Sequence, residues 1–313
     1  MVNAGANVAI DALDVLMAFA AALCFILLFF HAKHILFSAR TFLALISQDF
    51  VLHDYFTARA VFYTLIRRFF MALYAIADLH LSTLDETNKS MEVFGQRWAS
   101  YMDRLVINWK KLVTDEDTVI VPGDVSWALS LEEATSDLKL LDSLPGKKIL
   151  GKGNHDFWWC TMKKHREHFE KHGITTISFL FNNAHETENF IVAGTRGWFF
   201  DEKSSANLPN KTDFAKLTAR EELRLEMSLK EAKTLSEKSG KEIIAFMHFP
   251  PVWSGEVCEG LIEILKRYGV KRVYYGHIHG NYTVPPTTVY DGIEMSIISA
   301  DYLAFIPKHI SKD

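Results

Sequence analysis

The chain has 313 residues, enough for one large domain or two small ones. Hydrophobic residues make up 49% and charged residues 23%, which excludes a disordered polymer. The net charge of -4 gives no strong nucleic-acid signal, and three scattered cysteines (Cys24, Cys160, Cys258) suggest neither a disulfide framework nor a thiolate zinc site, so a reducing, cytoplasmic setting is expected.

Residues 1–70 differ from the rest. They contain no Glu, Pro or Trp, Lys33 is their only lysine, and Phe is dense. Residues 15–30 form an unbroken apolar run, somewhat short of the roughly 20 residues that span a bilayer. A cleaved signal peptide fits poorly, because Asp11 and Asp14 stand where a basic region belongs. Were the run to span a membrane, Lys33 and Arg40 behind it would keep the remainder in the cytoplasm, giving a membrane-anchored enzyme. Because a complete domain can begin at Met71, the favoured reading of the extension is a mis-assigned start, ahead of the membrane segment and of a soluble helical extension. Two regions follow: a hydrophobic extension, 1–70, and a domain, 71–313.

From Met71 the pattern is regular. Residues 73–77 read as a buried strand ending in Asp78, and residues 89–112 have helical spacing. A strand at 118–121 closes with Pro122-Gly123-Asp124, and a helix is expected over 131–141. Ile149 and Leu150 lead into Gly151-Lys152-Gly153-Asn154, and a helix over 158–172 ends at Gly173. Short strands are expected at 176–179 and 190–193, a polar loop at 201–212, and a long charged helix at 214–238. A strand at 242–247 runs into His248, a helix covers 257–268, and a strand at 273–275 runs into Gly276-His277-Ile278-His279. Residues 287–302 read as two β segments. This alternation predicts an α/β fold with a largely parallel sheet.

Strand after strand ends in a residue that can bind a metal or a proton: Asp78, Asp124, Asn154, His248 and His277. In open α/β sheets ligands gather beyond the carboxyl ends of strands, so these residues can meet in space. Carboxylate, imidazole and amide oxygen together suit Mn, Fe or Zn. Two such ions about 3.5–4 Å apart can clamp a phosphate and activate a water.

Asp78-Leu79-His80, Gly123-Asp124, Gly153-Asn154-His155-Asp156, His248 and Gly276-His277-Ile278-His279 resemble, in order, the motif blocks of the calcineurin-like metallophosphoesterase superfamily. The resemblance runs from Met71 to about Tyr302. It implies a two-sheet β sandwich flanked by helices, with the metal site at the strand carboxyl ends. It implies Asp78, His80, Asp124 and His279 on one ion and Asp124, Asn154, His248 and His277 on the other, with Asp124 shared. His155 would be the general acid and Asp156 would orient it. The implied activity is hydrolysis of a phosphate ester by a metal-bridging hydroxide. A membrane-tethered phosphohydrolase acting on lipid-linked phosphates, or a catalytically silent scaffold, are the alternatives. Asp124 is followed by Val125-Ser126-Trp127-Ala128, without the arginine of protein serine/threonine phosphatases, which points to a small-molecule or otherwise unknown phosphoester.

His165, His168 and His172 share one helical face, yet they stand among Lys163, Lys164, Arg166, Glu167, Glu170 and Lys171, so a solvated face is expected over a metal site. Trp127, Trp158, Trp159 and Trp253 follow the motifs closely, and either pocket lining or core packing accounts for them. Arg196 is a candidate for pairing with a substrate phosphate, with a structural turn as the simpler reading. The charged helix is expected on the surface, with pairs such as Glu226–Lys230, or as a cap over the site.

Overall fold

The computed structural model describes residues 71–83, 91–198 and 211–312. The expectations for residues 1–70, and for most of the polar loop at 201–212, lie outside them. Among the described residues no helix is long and apolar enough to cross a membrane.

Strand β1 (Leu73–Ala75) opens the described fold. Two 3-10 turns, Met91–Phe94 and Gln96–Trp98, precede helix α1 (Tyr101–Leu112). The single helix expected over 89–112 is therefore broken. Gly95 (φ 112°) and Ser100 (φ 47°) both take positive φ, which a right-handed helix cannot accommodate. α1 then buries Tyr101, Leu105 and Trp109, one stripe at four-residue spacing.

Strand β2 (Thr118–Val121), helix α2 (Thr135–Ser143), strand β3 (Lys147–Leu150), helix α3 (Met162–His172) and strand β4 (Ile177–Phe179) follow. α2 begins later than residue 131 because the preceding residues form turns. α3 begins at Met162, not at 158, because the Thr161 hydroxyl accepts the Lys164 N–H at 3.3 Å and caps it there. Its other end is Gly173 at φ 68°, the expected cap. Next come β5 (His185–Glu186), β6 (Phe190–Thr195), α4 (Lys211–Ser239) and β7 (Glu242–Met247). A small hairpin of β8 (Val252–Trp253) and β9 (Glu256–Val257) leads to α5 (Glu259–Arg267). Strands β10 (Arg272–Tyr275), β11 (Thr287–Tyr290), β12 (Ile293–Ile297) and β13 (Lys308–Ile310) complete the fold.

The strands form two large sheets, ordered β13-β1-β2-β3-β4 and β11-β12-β10-β7-β6-β5. Interior neighbours are parallel; β13, β11 and β5 join antiparallel at the edges. Side chains alternate as a pleated strand requires. On β2, Ile120 faces the inter-sheet core with Phe246, Tyr274 and Ile298, while Val119 and Val121 face Leu105, Trp109 and Leu138. On β7, Ile244 and Phe246 point inward, while Ile243, Ala245 and Met247 meet Leu225, Leu229, Leu261 and Leu265 of α4 and α5. The result is a two-sheet β sandwich flanked by helices.

α4 keeps an exposed outer face, as expected, while its ion pair and the α3 face differ from expectation. α4 is anchored by Leu225, Leu229 and Ala232 against β6 and β7, and its Glu226 is engaged by Arg267 at 2.9 Å and the Tyr268 hydroxyl at 2.6 Å. On α3, His165 is fully buried among Trp158, Trp159 and Phe179, and His168 is only 6% exposed, so this face is packed, not solvated. Rings can pack there because the lysines around them in sequence project to other sides of the helix.

Buried Asp117 ties the start of β1 to β2: its carboxylate accepts from Ala72 N at 2.7 Å, Thr114 N at 2.7 Å and the Thr114 hydroxyl at 2.9 Å. Asp117→Ala leaves these donors unmet and is expected to lower stability by about 2–4 kcal/mol in urea unfolding.

Candidate metal centre

The carboxyl ends of β1, β2 and β3 lie side by side in one sheet, and those of β7 and β10 in the other. The sheets touch at this end, where Ala77 N donates to Ile298 O at 2.8 Å. Backbone hydrogen bonds then lock the loops together: Asp78 N to Gly123 O at 3.0 Å and His80 N to Asp124 O at 2.9 Å. The His277 N–H reaches across to the Asp78 carboxylate at 2.9 Å.

This framework gathers all seven candidate ligands. Asp124 Oδ2 lies 3.7 Å from His80 Nε2 and 3.5 Å from His248 Nε2. Asp78 Oδ1 lies 3.6 Å from His248 Nδ1 and 3.7 Å from His279 Nε2. The Nε2 atoms of His80 and His279 are 3.3 Å apart. Asn154 Oδ1 sits 2.7 Å from His248 Nε2 and 3.0 Å from His277 Nδ1. Asp78–His80–His279 and Asp78–Asp124–His248 thus form two groups whose ligand atoms all lie within 4.8 Å of one another.

The local backbone is shaped for this convergence. Asp78 (φ 60°), His80 (φ 45°), Asp124 (φ 51°) and His277 (φ 68°) all adopt positive φ, a conformation costly for residues with a Cβ. Glycine precedes three ligand loops for a steric reason. A Cβ on Gly153 would run into the Asp124 carboxylate, and one on Gly276 into that of Asp78.

Electrostatics sharpen the picture. Burial pushes the Asp78 carboxyl up to about 6 and Asp124 well above the carboxylate range. Burial, with the neighbouring imidazoles, drives His80 and His248 well below the usual range and His277 down to about 3. Burial thus resists ionisation of the carboxyls and protonation of the imidazoles alike. Divalent cations satisfy such a set, because they hold carboxylates ionised and imidazoles neutral at once. The oxygen and nitrogen donors present fit that role.

Residues 71–281 match the family model described as calcineurin-like phosphoesterase. The chain belongs to this family. It is a metal-dependent phosphoesterase. Solved structures with similar folds include a protein of unknown function, AQ665, from Aquifex aeolicus (17% identity, 76% of this chain and 95% of that one, TM-score 0.40). Another is a phosphopantetheinyl hydrolase from Mycobacterium tuberculosis (16%, 77% and 96%, TM-score 0.44). A third is TT1561 of Thermus thermophilus (12%, 77% and 98%, TM-score 0.43). Likeness at this level carries no argument about substrate. No curated protein matches the sequence.

Around the candidate ligands of this phosphoesterase lie residues of three kinds. Half-buried His155 donates its backbone N–H to Asp124 Oδ1 at 2.8 Å, and its ring lies 4.5 Å from that of Trp127. Trp127 also stacks on His80 at 4.7 Å, so it lines the centre, whereas Trp158 is buried and donates its indole N–H to Asp156 at 2.9 Å. Trp159 packs on His165 and Phe179, and Trp253 lies near Tyr275. Asp156 accepts from Gly153 N (2.7 Å), Asp124 N (2.9 Å) and Val125 N (2.9 Å), welding two ligand loops together.

Sequence reasoning missed Asp301, Trp98 and Tyr101. Asp301 Oδ1 pairs with His279 Nδ1 at 2.9 Å, and Oδ2 accepts from Gly280 N and the Tyr282 hydroxyl, each at 3.0 Å. Burial raises the Asp301 carboxyl, but these bonds outweigh it and leave it below the ordinary range. Its position just past β12 obeys the same strand-end rule as the ligands, a usable signal. Trp98 packs beside His279 and His80, and the Tyr101 hydroxyl donates to His80 O at 2.6 Å.

A carboxylate on the far nitrogen of a ligating histidine orients the ring and raises its basicity. Asp301→Asn is therefore expected to weaken metal binding about 10–100-fold in a metal titration, with the circular dichroism spectrum unchanged.

Proposed function

We propose that this phosphoesterase works through a dinuclear centre. Asp78, His80, Asp124 and His279 would hold one ion; Asp124, Asn154, His248 and His277 would hold the other. The observation that supports the reading is that Asp124 Oδ2 lies within 3.7 Å of His80 Nε2 and 3.5 Å of His248 Nε2, within reach of both halves. Two divalent ions there would clamp the phosphoryl oxygens, stabilise their growing charge and supply an acidified water as nucleophile. Mn, Fe and Zn all suit the donors.

His155 acts as general acid. An alkoxide leaves poorly unprotonated, and imidazole titrates near neutral pH. Its backbone is fixed on Asp124 and its ring rests against Trp127, which holds the imidazole at the edge of the cluster. Asp156 contributes as a positioning residue, by holding the Asp124 and Asn154 loops in register through its hydrogen bonds.

Arg196 supports an anionic substrate. Its backbone carbonyl accepts from His248 N at 3.1 Å, so the residue adjoins a ligand. Buried Glu221 is shared by Arg196 (3.6 Å), Arg220 (3.5 Å) and Arg224 (2.7 Å), which leaves surplus positive charge beside the centre. The Nε and Nη2 of Arg196 have no hydrogen-bond partner among the described residues. A silent scaffold is disfavoured, because every ligand position and His155 are filled. The scattered cysteines favour a cytoplasmic placement.

The full chain, supplied with Mn²⁺, is expected to hydrolyse p-nitrophenyl phosphate or its bis-ester. Asp124→Asn should abolish turnover. His155→Gln should lower kcat about 10²–10⁴-fold with metal content retained, and more for phenyl than for p-nitrophenyl esters, because the poorer leaving group needs the proton more. An equal loss for both esters would remove His155 as the acid; full activity in both variants would remove the centre as the active site.

A further inference from the structure

Away from the dinuclear centre, α3 carries a second group of ligand-type atoms. His168 and His172 lie one helical turn apart, on one face, with ring centroids 4.3 Å apart. Glu132, in the turns before α2, stands opposite both. Its Oε1 is 3.8 Å from His168 Nδ1 and its Oε2 is 3.8 Å from His172 Nε2. These three side chains form a group whose ligand atoms all lie within 4.8 Å of one another.

The hydrogen bonds around the group determine where its protons are. The Thr135 hydroxyl donates to Glu132 O at 2.7 Å. Its single proton is thereby used, so at its 3.0 Å contact with His168 Nε2 it must accept. In the neutral imidazole, His168 then carries its proton on Nε2 and turns its Nδ1 lone pair toward the Glu132 carboxylate. His172 Nε2 is shielded from solvent and has no hydrogen-bond partner among the described residues. A carboxylate facing an imidazole lone pair with no proton between them is repulsive. A cation placed between them makes the same arrangement attractive.

We propose that Glu132, His168 and His172 hold a further divalent transition-metal ion, separate from the dinuclear centre. Two imidazoles and a carboxylate suit zinc, cobalt or nickel. Thr135 plays the part of the oxygen that accepts from the far nitrogen of a ligating histidine and sets its orientation. The consequence is mechanical. Glu132 follows the Asp124 loop in the chain and α3 follows the Asn154 loop, so one ion ties together the two segments leading away from those ligands. Lys171 is the competitor, with its Nζ 3.4 Å from Glu132 Oε1; at 63% exposure it can swing into solvent.

The test uses the full chain and zinc alone. After equilibrium dialysis, zinc per chain is counted in wild type, Glu132→Gln and His172→Gln. Both substitutions are mild and lie outside the catalytic machinery. Each variant is expected to hold about one ion fewer than wild type, with aryl phosphate hydrolysis unchanged, and to lose part of the zinc-induced rise in Tm. Lys171→Met should tighten zinc binding at this site about threefold or more, because a competing ammonium is gone. Equal zinc counts in wild type and both variants would overturn the site, whatever the total. Because the comparison is between variants, it does not depend on the dinuclear centre being active.

Discussion

Two buried carboxylates and a set of imidazoles face one another at the carboxyl ends of two sheets, and the rest of the domain is arranged around that contact. Asp78 and Asp124 are almost fully removed from water. Left to protons alone, such a cluster is frustrated: burial resists charge on the acids and on the histidines together. Cations relieve both effects at once. The sandwich is what allows the contact, because it brings five strand ends from two sheets to one point and seals them from behind with apolar packing.

The cost of the arrangement appears in the backbone. Four of the candidate ligands sit at positive φ, and glycines precede the loops where any side chain would collide with a carboxylate. Strain of this kind persists only when the surroundings over-determine it. Asp156 does so on one side, by taking hydrogen bonds from both the Asp124 and Asn154 loops, and Asp301 on the other, through His279, Gly280 and Tyr282. The aromatic wall of Trp98 and Trp127 closes the remaining sides of His80.

Much of this was legible in one dimension. Asp78, Asp124, Asn154, His248 and His277 each follow a strand-like run, so the strand-end rule alone marks them, and the short spacing of Asp78-Leu79-His80 and His277-Ile278-His279 brings their neighbours along. Other features were not legible. The helix expected over 89–112 breaks at Gly95, which the sequence did signal, and again at Ser100, a residue with no strong preference for positive φ. The α3 histidines read as solvated among lysines, yet His165 is buried by Trp159, which folds back from just before the helix, and by Phe179 of β4. β13 is three residues long and becomes a strand only by pairing with β1.

The amino-acid order by itself determined the periodicity of the strands and helices, the donor types at the strand ends and the glycines beside them, because these depend on neighbours a few residues apart. Only the tertiary structure decided which donor atoms face each other, that Asp124 stands between His80 and His248, that Asp301 supports His279, and that Glu132 meets His168 and His172. Those relations join residues tens to hundreds of positions apart, and their energies arise from burial and from the removal of water, which exist only once the two sheets have closed.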